Sequence, residues 1–346
     1  MIGTSDNIEK HRRRKSPQPP LLKIFSLPSD LIIHVLSYGI TLKDISRLDL
    51  VITNKARESF LDCLKDENMT FAGINRISCA NDNETKAKNS SYLNWIALRG
   101  ISVQQLDFAH LDIGRTLFNT LLKRCKHLQH ISLCRCTNGT NTSFDYEIVK
   151  LSECCTEITY INIGFLNVTD AAMVQLIKRN KGLKQLRAFR STISNDTVFS
   201  LGENYSNLNT LDFGYIRVTQ DALFYLVSHN PNLLHLNIAN MSFHQNISYD
   251  DRHQSYTDII DKMLVKDYDF IIEVLAKHCT KLVTLDVSNC HYLRLESVMR
   301  LLKNCSQLRS LNVTDCMQIN AFGSAMNRAM CLDHFARHFP LLRVYL

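Results

Sequence analysis

The strongest local arrangement of metal-type donors in this chain is Cys331-x-x-His334-x-x-x-His338, a thiol and two imidazoles at helical spacing. A structural zinc site needs four donors held as a tetrahedron, and no fourth is evident nearby, so these read as surface residues of a helix. No metal or cofactor is expected. Twelve cysteines and 13 histidines allow many thiol–imidazole pairs for nucleophilic chemistry, yet no local signature selects one. Gly-x-x-x-x-Gly-Lys, His-Glu-x-x-His and Gly-x-Ser-x-Gly are all absent, and the 11 glycines supply phosphate-cradling loops poorly. The expectation is a protein that is not an enzyme and has no catalytic residues.

The cysteines are informative through their spacing instead. Cys279 and Cys305 stand 26 apart, as do Cys290 and Cys316. Periodic cysteines are usually buried packing residues, and buried thiols are inert. They belong to a recurring pattern: Cys125-x-x-Leu128-x-x-Ile131-x-Leu133, then Cys155-x-x-Ile158-x-x-Ile161-x-Ile163. Further copies run through Leu183-Leu186-Ala188, Leu208-Leu211-Phe213, Leu233-Leu236-Ile238, Leu282-Leu285-Val287, Leu308-Leu311-Val313 and Leu341-Val344-Leu346. Val103-Leu106-Phe108 is the first full copy, and Leu93-Ile96-Leu98 reads as an earlier one. Asn180 and Asn230 replace the cysteine in two copies, as a small packing and hydrogen-bonding role would permit.

Thr169, Ser194 and Thr219 fall between strand cores, also 25 apart, and read as helix N-caps, each with an acid in the first helical turn (Asp170, Asp196, Asp221). Apolar residues at helical spacing follow, so each unit is a short strand and a helix. One such unit cannot bury both apolar faces, and neighbours must stack over it.

The pattern resembles the leucine-rich repeat, in the cysteine-containing kind found in F-box proteins, over about residues 90 to 346. The fold class this implies is α/β: a right-handed leucine-rich-repeat solenoid, a horseshoe with a parallel sheet inside and helices outside. Strand residues between the apolar positions face the concave side. His130, Tyr160, Asn162, Gln185, Arg187, Asp212, His235, Asn237, Asp286 and Asn312 are therefore the substrate-binding candidates. They are polar and mixed in sign, which suits a protein ligand rather than nucleic acid. From Leu236 to Leu285 is 49 residues with no strand pattern between, so residues 243–268 are an insertion, with a helical piece at Ile259, Ile260, Met263 and Leu264. Insertions in repeat arrays map to loops on one face, often the binding face.

Upstream, Ser26-Leu27-Pro28-Ser29-Asp30 carries helix-start signals, and Leu31, Ile32, Val35 and Leu36 follow at helical spacing. Thr41 caps a second segment with Leu42, Ile45 and Leu48, and a third holds Ala56, Phe60, Leu61 and Leu64. This run resembles the F-box, a small all-α module, which implies binding of a Skp-type adaptor and a cullin–RING ubiquitin ligase. By position, Leu27, Pro28, Leu31, Ile32, Val35, Leu36, Leu42, Ile45 and Leu48 would form or support the adaptor surface. The third segment, Asn54-Lys55-Ala56-Arg57, lacks the tryptophan usual in that family. The resemblance implies a non-catalytic substrate-recognition subunit of a Skp–cullin–F-box ligase, binding an unidentified protein substrate. The alternative is an adaptor-independent scaffold whose N-terminal helices only cap the solenoid.

The division expected is a disordered basic tail at 1–23, the F-box-like module at 24–70, a linker at 71–91 and the repeats at 92–346. The linker, rich in Asn, Asp and Lys around Asn81-Asp82-Asn83, reads as loop. Lys10, Arg12, Arg13, Arg14 and Lys15 carry five of the net seven positive charges, leaving +2 elsewhere. A basic surface for nucleic acid is not indicated. No run of eighteen apolar residues and no secretory signal occur, so no membrane partner is expected. Free thiols then fit a reducing compartment, cytoplasmic and/or nuclear.

Overall fold

The computed structural model describes residues 42–52, 55–65, 70–71, 83–139, 143–243, 268–316, 319 and 335–345. The chain divides into two compact units, Met1–Met69 and Thr70–Leu346.

The larger unit is built on one nine-stranded sheet. Its strands are β1 (Gln105–Asp107), β2 (His130–Ser132), β3 (Tyr160–Asn162), β4 (Gln185–Arg187), β5 (Thr210–Asp212), β6 (His235–Asn237), β7 (Thr284–Asp286), β8 (Ser310–Asn312) and β9 (Arg343–Tyr345). All pair in parallel with their sequence neighbours, in register. Leu106, Ile131, Ile161, Leu186, Leu211, Leu236, Leu285 and Leu311 thus form one continuous buried row, none more than 2% exposed. Each of strands β1 to β8 stops after three residues for a local reason. The second residue beyond its next core position adopts positive φ: His110, Arg135, Phe165, Arg190, Tyr215, Asn240, Asn289 and Asp315. That left-handed conformation is unfavourable for non-glycine residues, and a bond to the next repeat offsets it. Arg135 N–H donates to the Gly164 carbonyl at 3.0 Å, and Arg190 N–H to that of Gly214 at 2.9 Å.

Helices α3 (Asn83–Arg99), α4 (Arg115–Arg124), α5 (Asp145–Cys154), α6 (Asp170–Arg179), α7 (Asn195–Asn204), α8 (Gln220–His229), α9 (Tyr268–His278) and α10 (Leu295–Asn304) follow α1 (Leu42–Val51) and α2 (Lys55–Leu64) of the smaller unit. From α4 onward one helix accompanies each repeat. Adjacent strands sit ~4.8 Å apart, while packed helices need ~8–10 Å. A layer of each can share a repeat only if the array bends with the sheet inside. This is the leucine-rich-repeat solenoid.

Two ladders fasten the repeats. Along the helix starts, a side chain at the first or second helical position accepts the backbone N–H of the next helix's cap residue. Asp145 takes Thr169, Asp170 takes Ser194, Asn195 takes Thr219, and Asp269 takes Arg294. Thr169 and Thr219 also cap their own helices through Ala172 and Ala222 N–H, but Ser194 makes no such bond and gives its hydroxyl to Asp170 instead. Along the helix ends, cysteine and asparagine share one position but bond differently. The Cys155 and Cys305 thiols donate to the carbonyls of Cys125 and Cys279. Asn180 accepts from Ile158 N–H and donates to Leu176, while Asn230 accepts from Leu208 and donates to Leu226.

Two readings depart from the sequence expectation, the linker loop and the early strand copy. Helix α3 begins at Asn83, inside the segment read as linker loop, and Leu93, Ile96 and Leu98 belong to it rather than to a strand. Its first turns carry no apolar stripe, so periodicity could not reveal them. Leu93 and Ile96 anchor it and are buried, while Leu98 is exposed. The insertion costs the sheet nothing: β6 pairs directly with β7 across it. It departs after the short strand Ser242–Phe243, which pairs with Arg217–Val218, and ends at α9, where the buried Tyr268 hydroxyl donates to the Met241 carbonyl. The helical piece expected at 259–264 lies outside the described residues.

In the smaller unit Leu42, Ile45, Ile52, Phe60, Cys63 and Leu64 are buried. Arg57 locks α1 to α2, donating to the Asp49 and Ile52 carbonyls at 2.6 and 3.0 Å and to the Asp49 carboxylate at 3.0 Å.

Candidate protein-interaction face

All ten concave candidates lie on strands of the nine-stranded sheet, flanking its buried row. His130 is exposed and the others are half-buried. The sheet aligns them in two columns. One runs His130, Tyr160, Gln185, Thr210, His235, Thr284 and Ser310; the other runs Ser132, Asn162, Arg187, Asp212, Asn237, Asp286 and Asn312. Within the first, the His130 and Tyr160 rings lie 5.8 Å apart, and His235 Nδ1 is 2.9 Å from Thr284 Oγ1. Burial, with Arg187 nearby, lowers the His235 pKa, so its imidazole is held neutral.

The second column has a structural duty that residue types alone did not disclose. Asn162, Asp212, Asn237, Asp286 and Asn312 each accept, through Oδ1, the N–H two residues ahead. These bonds shape the turn that closes each strand. One oxygen or amide of each side chain is thereby spent on the fold and the other remains outward, as where Asn312 Nδ2 donates to Asp286 Oδ2 at 3.0 Å. Ser132 and Arg187 break this series. Burial raises the Asp212 pKa, with Asp286 adding to the effect and the Gly214 N–H, Arg187 and Asn237 opposing it. A cavity of about 320 Å³ opens on the same face, among Asn237, Thr284, Asp286, Ser310, Asn312 and Tyr345. Charge is mixed along the face: Arg187 and Asp212 lie in register on adjacent strands, and Asp286 stands two strands further on.

Of the adaptor-surface candidates, Leu27, Pro28, Leu31, Ile32, Val35 and Leu36 lie outside the described residues. Leu42 and Ile45 are buried and Leu48 is half-buried, so on α1 these side chains support packing. The exposed apolar residues of that helix are Leu50 and Val51, at 83% and 70% exposure. They follow the periodic stripe at its C-terminal end, where helical spacing marks no inward face.

Cys331 and His334 lie outside the described residues, and His338 is exposed. Among the described residues, no cluster of three or more histidines, cysteines or acids is placed to hold a metal, and no helix is long and apolar enough to cross a membrane. Burial pushes the Cys125 and Cys305 thiols up to about 11, and that of Cys279, with Cys305 adding, up to about 12.

No protein-family model matches the chain, and no curated protein matches it. Solved structures do. Internalin C2 from Listeria monocytogenes aligns at 17% identity over 65% of this chain and 74% of its own, with a TM-score of 0.37. The actin-binding site 2 of leiomodin-1 aligns at 14% identity over 57% and 99%, with a TM-score of 0.34. The TLR13–ssRNA13 complex aligns at 12% identity over 63% of this chain, which spans only 30% of that one, with a TM-score of 0.37.

Proposed function

We propose that this protein is a recognition subunit that holds a protein substrate on the inner face of its sheet and presents it to a Skp–cullin–F-box ubiquitin ligase through its N-terminal helices. The observation that carries the recognition half is the pair of polar columns running across β2 to β8 in register. An extended inner surface of this kind is what solenoids use to bind partners. The ligase half rests on the resemblance of residues 24–64 to the F-box, supported by the helix pair α1–α2 with its inward Leu42 and Ile45. Such a subunit acts by position, since tethering raises the effective concentration of substrate at the ligase.

Pull-down with a purified Skp adaptor tests the ligase half. The full chain is expected to retain the adaptor, and a Leu31→Asp, Val35→Asp double variant with unchanged circular dichroism is expected to lose it. Failure of the intact chain to bind removes the ligase role and leaves the inner face as a protein-binding scaffold.

A further inference from the structure

Between β2 and β5 the turns that close the strands carry rings and guanidinium groups absent from the other repeats. Phe165, Phe189 and Tyr215 stack in succession, with centroids 5.4 and 5.2 Å apart. Arg135 lies 4.0 Å from the Phe165 ring centroid and Arg190 4.3 Å from that of Tyr215, with Phe189 and Phe165 at 5.7 and 5.8 Å from Arg190. Arg187, at the end of β4, lies 5.9 Å from the Tyr160 ring. The sequence makes room for this stack: a Cβ on Gly214 would stand 2.7 Å from Phe189 Cδ2. Its rings are half-buried, while Arg135 and Arg190 are exposed.

Among the described residues no carboxylate lies within ion-pair distance of Arg135, Arg187 or Arg190, whereas Arg57, Arg115, Arg294 and Arg300 each have one. A guanidinium lying over a ring uses its face, and its N–H edge stays free to grip a carboxylate in two-pronged fashion. The anionic side chains of the inner face, Asp107 on β1, Asp212 on β5 and Asp286 on β7, are spread along the strands, with Asp212 in register beside Arg187. Arg135 and Arg190, held over rings with no described carboxylate at ion-pair distance, are complementary to one kind of partner.

We propose that the rim formed by Arg135, Phe165, Phe189, Arg190 and Tyr215, with Arg187 beside it, docks an acidic peptide segment of a protein partner, its carboxylates on the guanidinium groups and an aromatic or aliphatic side chain against the rings. The proposal rests on the inner face being the protein-binding surface and names the chemistry bound there. Stacked rings and arginines also suit single-stranded nucleic acid, but a phosphate chain continuing along the face from β4 would meet Asp212 and Asp286 before the next arginine of the columns, Arg343 on β9. The balance favours a short acidic peptide.

A randomised peptide library panned on the full chain is expected to enrich carboxylates flanking an aromatic or aliphatic residue. An enriched peptide should bind Arg135→Ala and Arg190→Ala roughly tenfold more weakly each, the loss of a charge-assisted bond. It should bind Lys178→Ala, on α6, as tightly as the unaltered chain, and more weakly as salt rises. Replacing its acids by lysine should abolish binding. No enrichment, enrichment of neutral or basic sequences, affinity unmoved in both arginine variants, or tighter binding of an oligouridine would overturn the proposal. The same variants in the Skp-adaptor pull-down keep the two ideas apart. Adaptor retained without peptide binding sinks the rim alone, and peptide bound without adaptor sinks the ligase role alone.

Discussion

Asp170 reaches across one repeat to Ser194, accepting its backbone N–H at 2.8 Å on Oδ1 and its hydroxyl at 2.6 Å on Oδ2. The N–H and hydroxyl of Thr197 also bond to Oδ1. Burial works to raise this carboxyl's pKa, but the bonds from Ser194 and Thr197 outweigh it and hold it below the usual carboxylate range. Asp170→Ala should therefore cost ~1–3 kcal/mol at neutral pH, the range for stranding partly buried donors. Because the folded pKa is depressed, the contribution is full above the unfolded value of ~3.9 and fades as pH falls through the folded one. Denaturant unfolding of both proteins at about pH 7 and about pH 3 checks this; a gap that widens in acid would refute it.

Asparagine and cysteine at the helix ends are equivalent only in giving a hydrogen bond, since asparagine also accepts a backbone N–H. Asn180→Ala leaves the buried Ile158 N–H without its 2.9 Å acceptor, at ~1–3 kcal/mol. Asn180→Cys should recover part of the loss by donating its thiol to the preceding repeat, as Cys155 does. Equal midpoints for the two variants in thermal unfolding would contradict the equivalence.

Two glycines separate packing from backbone freedom. Gly214→Ala drives a methyl into the Phe189 ring at 2.7 Å and should cost ~1–3 kcal/mol as an overpacking change. Gly182 has nothing within 4 Å of its added Cβ and no positive φ, so Gly182→Ala should be neutral or stabilise by up to ~1 kcal/mol. Calorimetry on both distinguishes these outcomes.

Thiol labelling should follow exposure. Cys134 and Cys154 are half-buried, while Cys125, Cys279, Cys305 and Cys316 are buried, with thiols raised by burial to about 11 or 12. Iodoacetamide at about pH 8 should modify the first pair in the native chain and reach the others only on unfolding, because the thiolate is the reacting form. Mass spectrometry reads the order directly, and early modification of Cys279 or Cys305 would show the repeat core open.

The repeats were legible because Leu186, Leu211 and Leu236 occupy one structural position and must all be buried, which leaves a period in the sequence. The rim was not. Phe189 and Arg190 sit at turn positions filled elsewhere by Ala109, Cys134 and Asn240, and their significance comes from rings brought together across repeats. Helix α3 is hidden because the sequence of its first turns carries no apolar stripe. Strand alternation places the column residues beside the buried row, but the Asx bonds of Asn162 or Asp286 depend on a backbone N–H two residues on, which side-chain types cannot announce. Ser194 was legible as a helix start and misleading as a cap, because Asp170 offers its hydroxyl a stronger, charged partner.

The Tyr268–Met241 latch makes the chain between Phe243 and α9 a natural graft point. In the preceding repeat a single residue, Thr219, joins Val218 to α8, and β6 meets β7 in register whatever lies between them. Loop-closure cost grows only slowly with length. An engineer could therefore trim this excursion, or splice a reporter into it, and the sheet that carries recognition would keep its register.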